Sequence, residues 1–262
     1  MEEVLFDHNI QDFGFVSFQH LNILNTRSKA RIPQNCQTAV AMIFPYYNKN
    51  AFGGNISAYC SVQDYHDVVG MKLKSICQTL SEKYPDHAFV PFVDASPVDE
   101  VDMCVRAGLG VRGANSLLIN EKYGSYIFIG EILTTLPHTT TNHRDTGCIG
   151  CGLCAAACPG KAIENGRIDK EKCASHISQK KGDLTENETA ILKSARTVFG
   201  CDICQRACPM NRNVMETENL FSDDIISTVT AENVEKIYKS RPFGYRGLKV
   251  LQRNLEIYNN AD

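Results

Sequence analysis

The sequence has no tryptophan, no marked excess of either charge, and no long apolar run. Its 27 Lys and Arg stand against 30 Asp and Glu, a net charge of −3. That excludes a globally basic nucleic-acid binder, although a local basic patch is still possible. Nothing approaches the roughly 20 apolar residues that cross a bilayer. The opening Met1-Glu2-Glu3-Val4-Leu5-Phe6 lacks the apolar core of a signal peptide. A cytoplasmic protein with no membrane association is expected. Cysteine is missing from one whole region: none follows Cys208.

Cysteine is abundant elsewhere. Twelve are present, eight of them between Cys148 and Cys208. Cytosolic proteins have little use for disulfides, and clustered cysteines there usually bind metal. Cys36, Cys60, Cys77 and Cys104 show no ligand spacing and are expected to be buried free thiols. With 43% hydrophobic and 22% charged residues, a chain of this length can close a core without staples.

Residues 13–18, 38–44, 88–93 and 126–133 are short β-rich apolar runs and are expected as strands. Pro91 suggests that its strand is an edge. Between positions 64 and 84, Tyr65, Val68, Val69, Leu73, Ile76, Leu80 and Tyr84 recur at helical spacing, with Pro85 as the stop. Ser96 reads as an N-cap with Pro97 at the first helical position, opening a helix that should end at Gly108. Residues 231–240 and 248–258 carry helical spacing as well. The pattern implies an α/β (α+β) domain over 1–140, a cysteine domain over 141–214, and a C-terminal helical segment over 215–262. Gly108, Gly110 and Gly113 match G-x-G-x-x-G by letter, but they follow a predicted helix, which excludes a dinucleotide site.

Cys148-x2-Cys151-x2-Cys154-x3-Cys158-Pro159 is the bacterial ferredoxin run, whose fourth cysteine ligates the other cluster. Cys201-x2-Cys204-x3-Cys208-Pro209 is the same run without its first cysteine, with Val198 in that place. Two cubanes need eight thiolates, the two blocks supply seven, and Cys173 completes the count. Cluster one then takes Cys148, Cys151, Cys154 and Cys208. Cluster two takes Cys158, Cys173, Cys201 and Cys204. Two zinc sites would favour paired C-x2-C motifs without the x3-Cys-Pro signature.

Further motifs identify a family. Gly200-Cys201-Asp202-Ile203-Cys204-Gln205 with Cys208-Pro209-x-Asn211, Asp64-Tyr65-His66, Asp94-Ala95-Ser96-Pro97-Val98, Arg106-Ala107-Gly108-Leu109-Gly110, and Tyr123-Gly124-Ser125 running on to Ile129-Gly130-Glu131-Ile132-Leu133-Thr134 resemble, in order, the segments of epoxyqueuosine reductases. These are corrinoid iron–sulfur enzymes of tRNA queuosine maturation. The family's Trp, Lys and Tyr are replaced here by Val111, Ala114 and His176. The resemblance implies a nitroreductase-like cobalamin-binding domain followed by a ferredoxin-like double 4Fe–4S domain. Electrons would pass from a reduced flavodoxin or ferredoxin-type donor through the clusters to cobalt. Asp94 would be the proton donor as the epoxide oxygen leaves as water. The corrinoid would lie against Tyr65, Asp94, Leu118, Ile129, Ser175 and Asp202.

Each of these residues also has a plain structural reading, a helix cap in the case of Asp94. A monomer is expected, with tRNA as a possible partner. Lys236, Lys239, Arg241, Arg246, Lys249 and Arg253, interleaved with Tyr238, Phe243 and Tyr245, could form a tRNA-facing patch or a solvated helix pair. A corrinoid reductase of small molecules and a non-enzymatic double-cluster carrier are the alternative functions.

Overall fold

A computed structural model describes residues 1–141, 147–217 and 220–261. In chain order it contains α1 (Glu2–Asp7), β1 (Phe13–Ser17), β2 (Thr38–Pro45), α2 (Tyr65–Lys83), β3 (Phe89–Phe92), α3 (Glu100–Arg106), β4 (Val111–Arg112), β5 (Leu118–Ile119) and β6 (Ile127–Thr134). There follow α4 (Leu153–Ala157), β7 (Ile163–Glu164), β8 (Arg167–Ile168), α5 (Ala174–Ser178), α6 (Glu186–Ala195), α7 (Ile203–Arg206), α8 (Val234–Ile237) and α9 (Leu248–Asn259).

Compactness does not divide the chain into contiguous segments. One unit comprises residues 1–44, 66–112 and 127–147; the other comprises 45–65, 113–126 and 148–262. Two stretches that precede every cysteine of the ferredoxin-type blocks thus belong to the unit that holds those blocks.

The first unit is built on a four-stranded sheet of order β1-β2-β6-β3. β3 is an edge strand, which accommodates Pro91 and its missing N–H. β3 pairs antiparallel with β6, setting Phe92 opposite Glu131. Val69, Leu73, Ile76 and Leu80 of α2 are fully buried, so the helical periodicity marks the face that packs. Gly130 permits the close approach of α2 to β6: a Cβ there would press on Phe44, Val69 and Leu73.

Three local expectations are corrected. α3 begins at Glu100 and is capped by Asp99, whose side chain accepts the Asp102 N–H at 3.0 Å. Ser96 instead closes a tight turn by accepting the Val98 N–H, and a bridge from Val98 to Ile23 keeps that stretch out of the helix. α3 ends at Arg106, ahead of Gly108. The expected helix over 231–240 is a single α-turn followed by a 3-10 turn, because Arg241 precedes Pro242 and is extended, as residues before proline tend to be. Cys60, Cys77 and Cys104 are buried, but Cys36 is half-exposed.

In the second unit, α9 packs on α6 and α8. Phe199, Phe243, Leu251 and Val198 are at the centre of one hydrophobic cluster. Arg241 is also buried, at 1% exposure. Its guanidinium donates to the carbonyls of Ser61 and Asp224 and pairs with the Asp224 carboxylate at 2.7 Å.

Candidate functional site

In the first unit, the chain leaves β3 at Phe92 and bends before α3, with Asp94 in the bend at φ +58°. A left-handed backbone is uncommon for a non-glycine residue, though Asp and Asn tolerate it best. The Asp94 carbonyl accepts the Ser96 N–H. Its carboxylate Oδ2 stands 3.0 Å from Nε2 of His66, in the first turn of α2, with the two side chains 55% and 39% exposed. The helix-cap role open to Asp94 is filled by Asp99.

Two further carboxyl groups accompany this bend. Glu131, on β6, is wholly buried, and burial pushes it up to about 7 against the pull of the Ser96 hydroxyl and Arg31. Glu100 is pushed up to about 9, chiefly by burial, with Glu131, Asp94 and Asp99 repelling its charge and the Asp94 N–H opposing them. Glu131 is a letter of the family motif and an acid in the middle of an apolar strand, whereas Glu100 opens α3 and carries no such signal.

These groups are neutral in the folded protein at pH values where the unfolded chain has ionised them. Their contribution is fully present below about pH 4.5 and fades as pH rises, through about 7 for Glu131 and about 9 for Glu100. We therefore expect Glu100→Gln to flatten the loss of stability between pH 6 and 8 by about 1 kcal/mol per pH unit. Thermal denaturation across that range measures it; an unchanged slope would mean that Glu100 ionises normally.

In the second unit, Cys148, Cys151, Cys154 and Cys208 line one pocket together with Asn115, Ile119 and Gly152. Burial raises Cys208 above an ordinary thiol, and Cys148, Cys151 and Cys154 add like-charge repulsion. A second set forms around Cys201 and Cys204, pushed up to about 11 and about 12 chiefly by burial, with Cys173 and Cys158 adding to both. Free thiolates would repel one another in each set, and a cationic iron core would remove that penalty. Two sets of four thiols each, arising from the ferredoxin-type runs, fit two four-iron clusters. N–H groups also reach the sulfurs, as from Ala162 to Cys158 at 3.3 Å, and such bonds tune cluster potentials.

The loops are tied down by buried side chains. Gln205 and Asn211, both motif residues, converge on Ser125: Gln205 donates to its carbonyl and hydroxyl, and Asn211 donates to its hydroxyl and accepts its N–H. Gly200 is at φ +71°, where a Cβ would collide with Ser57, so the residue before Cys201 must be glycine. Asn254 of α9 is fully buried and donates to the carbonyls of Ser178 and Val198, both at 2.7 Å. Ser178 in turn accepts the Gly200 N–H and donates to the Ser175 carbonyl.

Of the corrinoid candidates, Asp94 and Ile129 belong to the first unit, and Tyr65, Leu118, Ser175 and Asp202 to the second. Tyr65 and Leu118 are buried, Ser175 and Ile129 half-buried. Asp202 accepts the Ala58 N–H through Oδ2 at 2.6 Å, while its buried Oδ1 has no hydrogen-bond partner. It borders a small pocket shared with Ser57, Arg196 and Cys201. In the basic C-terminal stretch, Lys236, Lys239 and Lys249 are exposed. Arg241 is an internal strap, and Arg253 donates to the carbonyls of Lys180 and Gly182. The six bases are therefore not a continuous surface patch.

Comparison with known proteins agrees with this chemistry. Residues 147–211 match the 4Fe-4S double cluster binding domain family, and residues 28–95 match the family described as epoxyqueuosine reductase QueG. The curated epoxyqueuosine reductase of Lactococcus garvieae is 30% identical over 258 residues, covering 91% of this chain and 73% of that protein. The chain spans from about half to about three quarters of the length of such relatives. The structure of epoxyqueuosine reductase from Streptococcus thermophilus has the same fold, with a TM-score of 0.82 at 23% identity over 99% of this chain and 80% of that one. A crystal structure of an epoxyqueuosine reductase with a tRNA-Tyr epoxyqueuosine-modified stem loop matches with a TM-score of 0.81 at 21% identity, over 98% of this chain and 80% of that one. Among the described residues no helix is long and apolar enough to cross a membrane.

Proposed function

Because this chain belongs to the epoxyqueuosine reductase family of oxidoreductases, we propose that it reduces epoxyqueuosine in tRNA to queuosine using two 4Fe–4S clusters and cobalamin. The observation that carries this reading is the pairing, in one chain, of eight thiols in two sets with Asp94, an acid that leaves the cap of α3 to Asp99 and stands 3.0 Å from His66. An electron carrier has no use for that aspartate. Cys148, Cys151, Cys154 and Cys208 would hold one cubane; Cys158, Cys173, Cys201 and Cys204 would hold the other. The unpartnered Oδ1 of Asp202 suits an amide donor of the kind a corrinoid's side chains carry. Tyr65, Leu118, Ile129 and Ser175 are proposed to line the same cofactor.

When bound, clusters and corrinoid supply the two electrons. Asp94 donates a proton to the departing oxygen, and His66 holds its carboxyl in place. The roles proposed for the segments are corrinoid binding for 1–140, cluster binding for 141–214 and support for 215–262. The electron donor is proposed to be a reduced flavodoxin or ferredoxin-type protein, and the active form a cytoplasmic monomer.

The test is anaerobic preparation, metal analysis and turnover of epoxyqueuosine-containing tRNA. We expect about eight iron atoms per chain, loss of one cluster in Cys173→Ala, and retention of both in Cys60→Ala, whose buried thiol belongs to neither set. Added cobalamin should bind the reduced, iron-loaded protein. Zinc in place of iron would refute the cluster assignment. Failure to bind cobalamin would leave the carrier reading, and cobalt cycling without tRNA turnover would leave a small-molecule reductase.

A further inference from the structure

We propose that His66 reloads Asp94 with protons during turnover, making the two side chains a relay; this rests on the reductase reading above. Converting an epoxide to an alkene breaks both C–O bonds, forms the C=C bond and releases the oxygen as water. The balance is two electrons, taken from a low-potential one-electron donor protein, and two protons. A carboxyl group carries one proton at a time, so Asp94 must be reprotonated within each cycle.

His66 is placed for that task. Its Nε2 is 3.0 Å from Oδ2 of Asp94, within proton-transfer distance, and its ring is 39% exposed, so it meets solvent as well. An imidazole titrates near neutrality, and transfer is most efficient when the acid's pKa lies near the working pH. The other acids of this region are differently arranged. Glu100 faces the backbone N–H of Asp94 and is repelled by its carboxylate. Glu131 is buried beside Ser96 and Arg31, and Asp99 is engaged with Asp102 N–H and Arg112. Asp67 follows His66 on the same helix. His66 is therefore a positioning and relay residue, acting through Asp94 rather than on the substrate.

The experiment compares wild type with His66→Gln and His66→Ala, both loaded with iron and cobalamin, on an epoxyqueuosine-containing tRNA stem loop. Gln can keep a hydrogen bond to Asp94 but cannot carry the proton. We expect kcat to fall about 10²-fold, within the range for acid–base groups, with KM, iron content and the cobalamin spectrum unchanged. Added imidazole should restore turnover in His66→Ala, which a purely structural loss would not allow. In parallel, NMR titration of His66 in the protein without substrate should show its pKa falling when Asp94→Asn removes the carboxylate. Wild-type kcat in His66→Gln, or a His66 titration indifferent to Asp94→Asn, would overturn the relay. A wild type inactive on the tRNA would instead overturn the functional reading, and the NMR coupling would still decide whether the pair exists.

Discussion

Replacing Asp94 by Asn is expected to leave both clusters and the corrinoid in place and to lower turnover by about 10²–10⁴-fold, the usual value of a general acid. The structure makes this a clean substitution. Asn tolerates the left-handed backbone at φ +58° as well as Asp does. The Ser96 and Glu100 contacts of residue 94 use its backbone, and an amide can still bond to His66. The cap of α3 is untouched, since Asp99 provides it. The transferable proton disappears. Iron analysis and cobalamin spectra establish that the variant is loaded; single-turnover assays then measure the chemistry. A variant that turns over at the wild-type rate would remove Asp94 from the reaction.

The second large effect is expected at Asn254, 46 positions beyond the last cysteine of the ferredoxin-type blocks. Asn254→Leu keeps the volume and removes every hydrogen bond. The buried carbonyls of Ser178 and Val198 lose their donor, and the guanidinium of Arg253 loses one of its acceptors. Each buried carbonyl left unsatisfied costs about 1–3 kcal/mol, so the pair costs about 2–6 kcal/mol. That cost falls on the two loops that carry Cys173 and Cys201. We expect iron to drop from about eight toward about four atoms per chain, with one of two paramagnetic signals lost on reduction and the other kept. Lys249→Ala, on the exposed side of the same helix, is the control and should retain full iron. An Asn254→Leu protein with both signals intact would show that the loops hold without α9.

Much of this was legible because its signals are local. The buried stripe of α2 is spaced along a single helix, and Pro91 announced an edge strand through its own missing N–H. The iron–sulfur motif is likewise written in consecutive residues. What could not be read depends on distant partners. Ser96 and Asp99 both satisfy the rules for a helix cap, and the Ile23–Val98 bridge helps decide between them. Arg241 looked like one more surface base until Ser61 and Asp224 supplied its acceptors. Gln205 and Asn211 were recognised as letters of a motif, but their purpose lies at Ser125, some 80 positions earlier. Glu131 and Glu100 gave no hint of sharing one bend, because they stand 31 positions apart on a strand and a helix.

The interleaving of residues 45–65 into the second unit bears on how the protein is made. Asn55 gives its side-chain N–H to the Val229 carbonyl, and Ile56 bridges to Phe199, so these early residues leave the ribosome well over a hundred positions ahead of their partners. At about 5–20 residues per second of synthesis, they wait roughly ten seconds or more before the segments that cover them emerge. Asn254 emerges after every cysteine of the ferredoxin-type blocks. The loops around Cys173 and Cys201 therefore reach their final form only once the segment carrying α9 has been made, and iron–sulfur assembly at that position must wait for it.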